Sequence, residues 1–293
     1  MPGRPHRQED SMPFERMTWP NGARCAVALT FDNFGESLDL LKFGHAGGAL
    51  ADGVYAPRRG VERILDILDR HGIPGTFFVE GWNARKYAYL LRNVAERGHE
   101  VGAHGWMHET WDKLEPKQEQ ALIARTTDAL AAVLGRVPRG WRSPGGLTTT
   151  ATLPLLLDAG YRYDSSFGDE DVPYHMAVTA DRPRDAIVEL PWTWQLDDAV
   201  FYGHNSARIS SAETVLGLWK EEFDAAYAMT GFYMPVCHPR FSGRPARAIT
   251  LDRLVAYIRQ HDGVWFARCE EIADHVRGLA ITPRYQAPEA LPE

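Results

Sequence analysis

The chain of 293 residues has few cysteines, no run of basic residues and no apolar stretch of membrane-spanning length. Its three cysteines lie far apart and are odd in number, which excludes a disulfide framework and the paired spacing of a zinc knuckle. Reduced thiols of this kind are typical of a cytoplasmic protein. Lysine and arginine are scattered and the formal net charge is −7, so we expect neither nucleic acid nor a membrane as a partner.

Also missing are an apolar run before the first predicted strand, an internal repeat and any low-complexity segment. A secretory signal is therefore not expected, which also favours the cytoplasm. The hydrophobic content of 44% and the charged content of 24% are those of an ordinary globular protein. We expect a small-molecule partner and leave a homo-oligomer open.

Short hydrophobic runs alternate with amphipathic segments along the chain. The run at residues 24–31 is continuous and bounded by turn residues, as in a strand that is buried on both faces. Strands are also predicted at 74–79, 100–103, 139–142, 161–164, 187–190, 232–236 and 264–267, and helices at 61–71, 88–97, 116–134, 150–159, 212–229, 251–260 and 270–276. This alternation indicates an α/β fold with a mostly parallel sheet, and about seven or eight repeats favour a closed or partly closed barrel.

The composition predicts one domain with a tail at each end. Residues 1–18 are predicted to be a flexible tail, 19–280 a single barrel domain and 281–293 a second tail. Within the domain, residues 35–60 are glycine-rich and show no periodicity. A loop of this length usually covers a site.

The segment at residues 98–110 carries two histidines directly after a predicted strand. His104 and His108 have the i, i+4 spacing that places both imidazoles on one side of a helical turn, a common arrangement for holding one metal ion. Taken alone, the spacing fits two surface or hydrogen-bonded histidines equally well. It therefore needs support from elsewhere in the chain.

Reactive side chains recur at the ends of the other predicted strands. Asp32 follows the first strand, Arg142 the fourth, Asp164 the fifth and His238 a late one. In parallel α/β folds the chemistry lies at the carboxyl ends of the strands. Each residue alone has a structural explanation, such as a turn cap or an ion pair, but their recurrence favours a shared site.

Four motifs in order carry a resemblance to a known family: Thr30-Phe31-Asp32-Asn33, His104-Gly-Trp-Met-His108, Arg142-Ser-Pro-Gly145 and the segment His238-Pro-Arg-Phe-Ser-Gly-Arg-Pro. The chain resembles the polysaccharide deacetylase superfamily, the NodB-homology or carbohydrate esterase 4 group, over most of its length. The resemblance implies a distorted (β/α) barrel of the NodB-homology type. It also implies hydrolysis of an amide C–N bond with a divalent metal, typically zinc.

The resemblance further implies a role for each matching residue. His104 and His108 match the metal-ligand histidines, Asp32 the general base, Arg142 the residue that holds this base, and His238 the general acid. These roles are physically reasonable. A metal with two imidazole ligands and an open position activates water, a carboxylate takes the proton, and an imidazole gives one to the leaving amine.

One position departs from the family's pattern. The second aspartate of the first motif, which completes the metal site, is Asn33 here, and a neutral carboxamide oxygen is a poorer ligand than a carboxylate. We expect Glu36 to be the third ligand, with Asp32 or Asn33 as alternatives and a weak or lost metal site if none of them serves. The altered motif and the Phe-Ser-Gly-Arg-Pro sequence resemble the allantoinases and cyclic-imide hydrolases of the group, which predicts a small linear or cyclic amide as substrate.

Two further stretches are predicted to line the substrate pocket. Trp192 and Trp194 would form a flat wall, with core packing as the alternative. Asp198 is predicted to contact substrate, although it or Asp197 could instead orient His238. Tyr55, in the long first loop, is predicted to close over the substrate.

Three functions remain open from the sequence. The first is a hydrolase of a small imide-like or ureide-like amide, and the second is an N-deacetylase of an amino sugar or oligosaccharide. The third is a non-catalytic ligand-binding relative that has lost its metal. Retention of Asp32, Arg142 and His238 argues against the third, because binding alone needs no matched base and acid.

Overall fold

The computed structural model describes residues 17–178, 185–203 and 209–284. Its strands are β1 (Cys25–Val27), β2 (Thr30–Asp32), β3 (Thr76–Val79), β4 (Glu100–Ala103), β5 (Gly140–Trp141), β6 (Tyr163–Asp164), β7 (Tyr174–Ala177), β8 (Ala186–Glu189), β9 (Phe232–Tyr233), β10 (Val236–Cys237) and β11 (Val264–Phe266). Its helices are α1 (Ser37–Phe43), α2 (Asp52–Tyr55), α3 (Val61–His71), α4 (Gly81–Lys86), α5 (Ala88–Glu96), α6 (Pro116–Leu134), α7 (Thr152–Asp158), α8 (Asp198–Tyr202), α9 (Ala212–Ala228), α10 (Pro245–Ile258) and α11 (Cys269–Arg277). A π-helical turn, Ala56–Gly60, joins α2 to α3.

The larger sheet has the strand order β10-β2-β3-β4-β5-β6-β8-β7. Its neighbours are parallel except for β7 and β8, which are antiparallel. A smaller sheet, β11-β1-β9, continues the same two chain segments that form β2 and β10. A bridge between Asp197 and Val236 brings the chain after β8 back against β10. The sheet therefore curls into a partly closed barrel, which confirms the predicted distorted (β/α) barrel.

Hydrophobic periodicity places the helices against this barrel. Helix α3 has the predicted bounds and buries Ile64, Leu65 and Leu68 on one face, and it ends at Gly72, whose φ is 60°. Full burial of each such side chain contributes about 1.5–3 kcal/mol. The continuous run at residues 24–31 divides into β1 and β2, and both strands are buried, as predicted.

Several segments differ from the prediction, among them helices α4 and α8, which have no predicted counterpart. Residues 35–60 contain α1 and α2 rather than an irregular loop, because Asp39 anchors them: its Oδ2 accepts the Gly53 amide at 3.1 Å. Strand β7 has no counterpart in the predicted elements. Its pairing is supplied by distant residues, namely β8 and the chain near Arg284.

The two predicted tails lie mostly outside the described part of the chain. Residues 281–284, assigned to the C-terminal tail, include Arg284, which exchanges backbone hydrogen bonds with β7 at 2.7 and 2.8 Å. Those four residues therefore belong with the barrel, while residues 1–16 and 285–293 lie outside the described part of the chain. The division into one domain with two tails stays a prediction. None of the helices in the described ranges is both long and apolar enough to cross a bilayer.

Candidate active site

Most of the predicted site residues meet in a cavity of about 280 Å³ at the carboxyl ends of the strands, but Glu36, Tyr55 and Asp198 do not line it. Asp32 is the last residue of β2, and His104, Arg142 and His238 directly follow β4, β5 and β10. Parallel pairing brings these strand ends to one edge of the barrel. The cavity wall also includes Asn33, His108, Trp192, Trp194 and Asp197.

The two histidines face each other, with ring centroids 5.0 Å apart and an interplanar angle of 78°. They are not held by a turn of helix, so the predicted helical geometry is wrong. A loop joins them, with left-handed backbone at Gly105 (φ 70°) and at His108 (φ 75°). Position 105 favours glycine because its positive φ is strained for other residues and a Cβ there would lie 2.8 Å from Pro144.

The hydrogen bond of His104 fixes its tautomer. Nδ1 donates to the backbone carbonyl of Arg142 at 2.8 Å, which leaves the Nε2 lone pair free to bind a metal. Burial lowers the pKa of His104 to about 3. Burial, and next the neighbouring His104, hold the pKa of His108 well below its usual range. Both rings are therefore neutral at ordinary pH, the form in which imidazole binds metals.

Asn33 offers a third ligand atom in the same cavity. It has a left-handed backbone with φ 58°. Its side-chain Oδ1 is buried and has no hydrogen-bond partner among the described residues. An unpaired buried acceptor of this kind costs about 1–3 kcal/mol, so a ligand that uses it would recover that cost. Two neutral imidazoles and a carboxamide oxygen form a donor set that fits a divalent metal.

Glu36, the predicted third ligand, lies elsewhere. Its carboxylate accepts hydrogen bonds from the Tyr87 hydroxyl at 2.7 Å and from Lys86. It lines a separate cavity with these two partners. The prediction of Glu36 as a ligand is corrected, because Tyr87 and Lys86 hold its carboxylate in that separate cavity.

Arg142 holds Asp32 through a guanidinium whose nitrogens all have hydrogen-bond partners. Nη1 donates to Asp32 Oδ1 at 2.9 Å and to the Thr30 hydroxyl at 3.0 Å. Nε donates to the Ser165 carbonyl at 3.1 Å, and Nη2 donates to the Ser165 hydroxyl at 2.9 Å and contacts Met234 Sδ at 3.6 Å. Each guanidinium nitrogen thus has a partner, and Asp32 keeps one carboxylate oxygen for the cavity.

His238 is held by Asp198 through two hydrogen bonds. Nδ1 donates to Asp198 Oδ1 at 2.6 Å, and the His238 backbone amide donates to Asp198 Oδ2 at 2.9 Å. This leaves Nε2 for the substrate. Burial lowers the pKa of His238, but Asp198 and then Asp197 and Asp32 together raise it by more, to about 9. Asp198 is fully buried and does not line the cavity, so its role is to orient His238 rather than to contact substrate.

Asp197, Asp198 and His238 have the donor types of a cation site, and their ligand atoms lie within 4.8 Å of one another. Their atoms already have internal partners, however. Both oxygens of Asp198 bind His238, and Asp197 Oδ1 caps α8 by accepting the Ala199 amide at 2.8 Å. We therefore assign this cluster to holding the imidazolium of His238.

Comparison with known proteins identifies the family of this chain. The polysaccharide deacetylase family model matches residues 21–163. A solved structure from Mycobacterium smegmatis, assigned to the polysaccharide deacetylases, has a TM-score of 0.89 and 36% identity, and the match covers 96% of this chain and 99% of that one. This chain belongs to the polysaccharide deacetylase family. It is accordingly a hydrolase of amide C–N bonds, in a family whose carbohydrate esterase 4 deacetylases depend on a metal.

Two further matches to this deacetylase-family chain have lower sequence identity. A peptidoglycan deacetylase of Helicobacter pylori is 27% identical over 252 residues, which are 77% of this chain and 86% of its own. The structure of Puue allantoinase has a TM-score of 0.79 at 24% identity, with 89% of this chain and 93% of that chain covered. The allantoinase therefore shares the fold.

Of the aromatic residues predicted to line the pocket of this deacetylase-family protein, the structure places two in the cavity wall. Trp192 and Trp194 both line the cavity, with ring centroids 4.6 Å apart, and Trp194 is 59% exposed at the mouth. Tyr55 is not part of the wall. Its hydroxyl donates to the Gly243 carbonyl at 3.0 Å and its ring packs against Arg244, so the prediction that it covers the substrate is corrected.

Sequence reasoning missed one side of the cavity. Helix α1 contributes Leu38, Asp39, Lys42 and Phe43, and Arg240 lies beside them. The amphipathic pattern of α1 is too short to be recognised. Arg240 could have been found, because it lies two residues after the predicted acid in a motif that the resemblance had already singled out.

Proposed function

We propose that this chain hydrolyses the C–N bond of a compact amide, such as a cyclic imide or a ureide-like compound. The observation that supports this choice is the size of the cavity in which Asp32 and His238 converge. Its volume of about 280 Å³ is close to the lower limit of known small-molecule sites, about 300 Å³. Trp192 and Trp194 form an apolar wall that suits a flat ring.

We further propose that His104, His108 and Asn33 hold one divalent metal, most simply zinc. When bound, the metal would supply Lewis acidity to the substrate carbonyl and lower the pKa of water. The neutral donor set leaves the full positive charge of the cation available for these effects. The nearby carboxylate of Asp32 would balance the charge of this cation.

The protein's own groups perform the proton transfers. Asp32 is held by Arg142 at 2.9 Å and is placed to take a proton from the attacking water. As the C–N bond breaks, His238 Nε2 gives a proton to the departing nitrogen. Asp198, 2.6 Å from Nδ1, keeps the imidazole in the required orientation and stabilises its charged form.

Metal binding gives the first test. Purified protein supplied with zinc is expected to bind one equivalent, because the three ligand atoms share one cavity. His104→Gln should weaken binding by more than about 100-fold, since it removes a ligand rather than an outer partner. Asn33→Asp should tighten binding by adding a carboxylate. Elemental analysis and competition with a chromophoric chelator measure both effects.

Glu36→Gln is the matched control for the metal test. Its carboxylate binds Tyr87 and Lys86 in another cavity, so this variant is expected to keep its full metal content. Loss of metal from Glu36→Gln, or full occupancy in His104→Gln, would show that the ligand assignment is wrong.

Substrate class is tested by matched assays on succinimide, hydantoin, allantoin and N-acetylated chitooligosaccharides. We expect kcat/KM for the best small amide to exceed that for the oligosaccharides by at least about tenfold, because a compact site gives a polymer little room. Higher kcat/KM on the oligosaccharides would refute this proposal.

The cytoplasmic location stays a prediction.

An N-deacetylase of an amino sugar is the second candidate. It is favoured by the Helicobacter pylori relative, which is a peptidoglycan deacetylase. Two exposed aromatic side chains at the mouth, Trp194 and Phe43, could also stack on sugar rings. The same matched assays decide between the two candidates.

A further inference from the structure

Arg240 is a buried cation in the cavity wall whose donors are only partly used. Its side chain is 5% exposed. Nη1 donates to Asp39 Oδ1 at 3.1 Å and Nη2 donates to the Gly35 carbonyl at 3.0 Å. Nε has no hydrogen-bond partner within the ranges that the structure describes. A guanidinium carries five N–H donors, so this one retains capacity for a ligand.

Arg142, a second guanidinium in the cavity wall, provides a direct comparison. Every nitrogen of Arg142 has a partner, which suits a residue that only positions Asp32. Arg240 is also buried, but its Nε has no partner among the described residues. Buried polar groups are normally satisfied, and Arg240 lines the cavity, so its unused N–H donors are available to a ligand there.

Arg240 is also fixed in place before any ligand binds. Asp39, its partner, is itself held by the Gly53 amide at 3.1 Å. Position 53 has to be glycine, because a Cβ there would lie 2.1 Å from Asp39 Oδ2. A side chain fixed in this way loses little conformational entropy when it binds.

We propose that Arg240 binds a second acyl oxygen of the substrate, at a carbonyl other than the one under attack. This assignment rests on the proposed function, and it narrows the substrate to compounds with two carbonyl groups, as in cyclic imides and ureides. Asp39 already balances the charge of Arg240 and lines the same cavity. A neutral carbonyl is therefore a better ligand than a second carboxylate, which Asp39 would repel.

The test compares ligands that differ by one carbonyl group. Succinimide and 2-pyrrolidinone share a five-membered ring, and glutarimide and 2-piperidinone share a six-membered one. Binding is measured by NMR titration in the Asp32→Asn background, where turnover is expected to be at least about 100-fold slower. We expect each imide to bind about 10–100-fold more tightly than its lactam, the range for a hydrogen bond to a charged group.

Three variants remove this preference in different ways. Arg240→Gln removes the guanidinium, Arg240→Lys keeps the charge but not the planar donors, and the Asp39→Asn/Arg240→Gln double variant avoids leaving Asp39 unpaired. In each, the imide-to-lactam ratio should fall to within about threefold of unity. Arg253→Gln is the matched control, because Arg253 pairs with Glu213 on an exposed surface outside the cavity. Thermal unfolding confirms that each variant is folded.

An unchanged ratio in the folded Arg240 variants, or no preference for imides in the parent protein, would overturn the assignment. A failure to bind either ring series would overturn it too. If the wild type hydrolyses no imide while the ratio still depends on Arg240, the proposed function fails and the assignment of Arg240 is supported.

Discussion

Asp32→Asn is expected to lower kcat by about 10²–10⁴-fold, the usual contribution of a general base. The asparagine keeps the shape of the side chain and can still accept the Arg142 hydrogen bond that spans 2.9 Å in the wild type. It cannot take a proton from water. Steady-state kinetics on the best amide substrate, together with metal analysis, measures the effect. The metal content should stay unchanged, because Asn33 rather than Asp32 is assigned as the ligand.

Stability needs a separate control in this experiment. Asp32→Asn leaves the buried charge of Arg142 without its carboxylate, and breaking a buried ion pair costs about 3–5 kcal/mol. Thr30 and Ser165 still accept from Arg142, so we expect the folded state to survive. Glu36→Gln, which also neutralises a buried carboxylate but outside the cavity, should keep kcat within a few-fold. Near-full kcat in Asp32→Asn would remove Asp32 from the role of base.

The catalytic groups were predictable because a parallel barrel places its strand ends together. Asp32, His104, Arg142 and His238 each end or follow a strand, and the strands could be read from short hydrophobic runs. Hence the cavity could be assembled from the sequence without knowledge of its shape. Helix bounds were predictable where a clear capping residue ends the helix, as Gly72 does after α3.

Residues placed by long-range packing could not be predicted. The spacing of Glu36 suited a ligand, but whether its side chain faces the histidines depends on where α1 begins and on which partners lie nearby. Those partners, Lys86 and Tyr87, come from a segment 50 and 51 residues away. Tyr55 was misplaced likewise, since its hydroxyl binds Gly243, which is 188 residues away.

Local backbone geometry was the other limit. The i, i+4 spacing of His104 and His108 predicts a helical turn, whereas the loop brings the rings together through positive φ at Gly105 and His108. The correct residues were found through an incorrect geometry. Spacing restricts which residues can meet, but the φ angles of the intervening residues decide how they meet.

The protonation state of His238 leads to the second large effect. Its pKa is raised to about 9, so the imidazole is protonated and able to act as an acid below that pH. The protonated form of His238 is lost as the pH rises through about 9, so kcat for an amide should fall above that pH. Asp198→Asn removes one of the carboxylates that raise this pKa and should move the fall to lower pH.

His238→Asn is expected to lower kcat for amides by about 10²–10⁴-fold at neutral pH and to abolish the alkaline fall. The asparagine amide can still donate to Asp198, which also keeps the backbone amide of residue 238 and the Ser242 hydroxyl as donors, so the site should stay folded. An amine leaves poorly without a proton, whereas the phenolate of a 4-nitrophenyl ester leaves unaided. The ester should therefore lose less than about tenfold. Equal losses on amide and ester would contradict the acid role and indicate that His238 acts in binding or positioning.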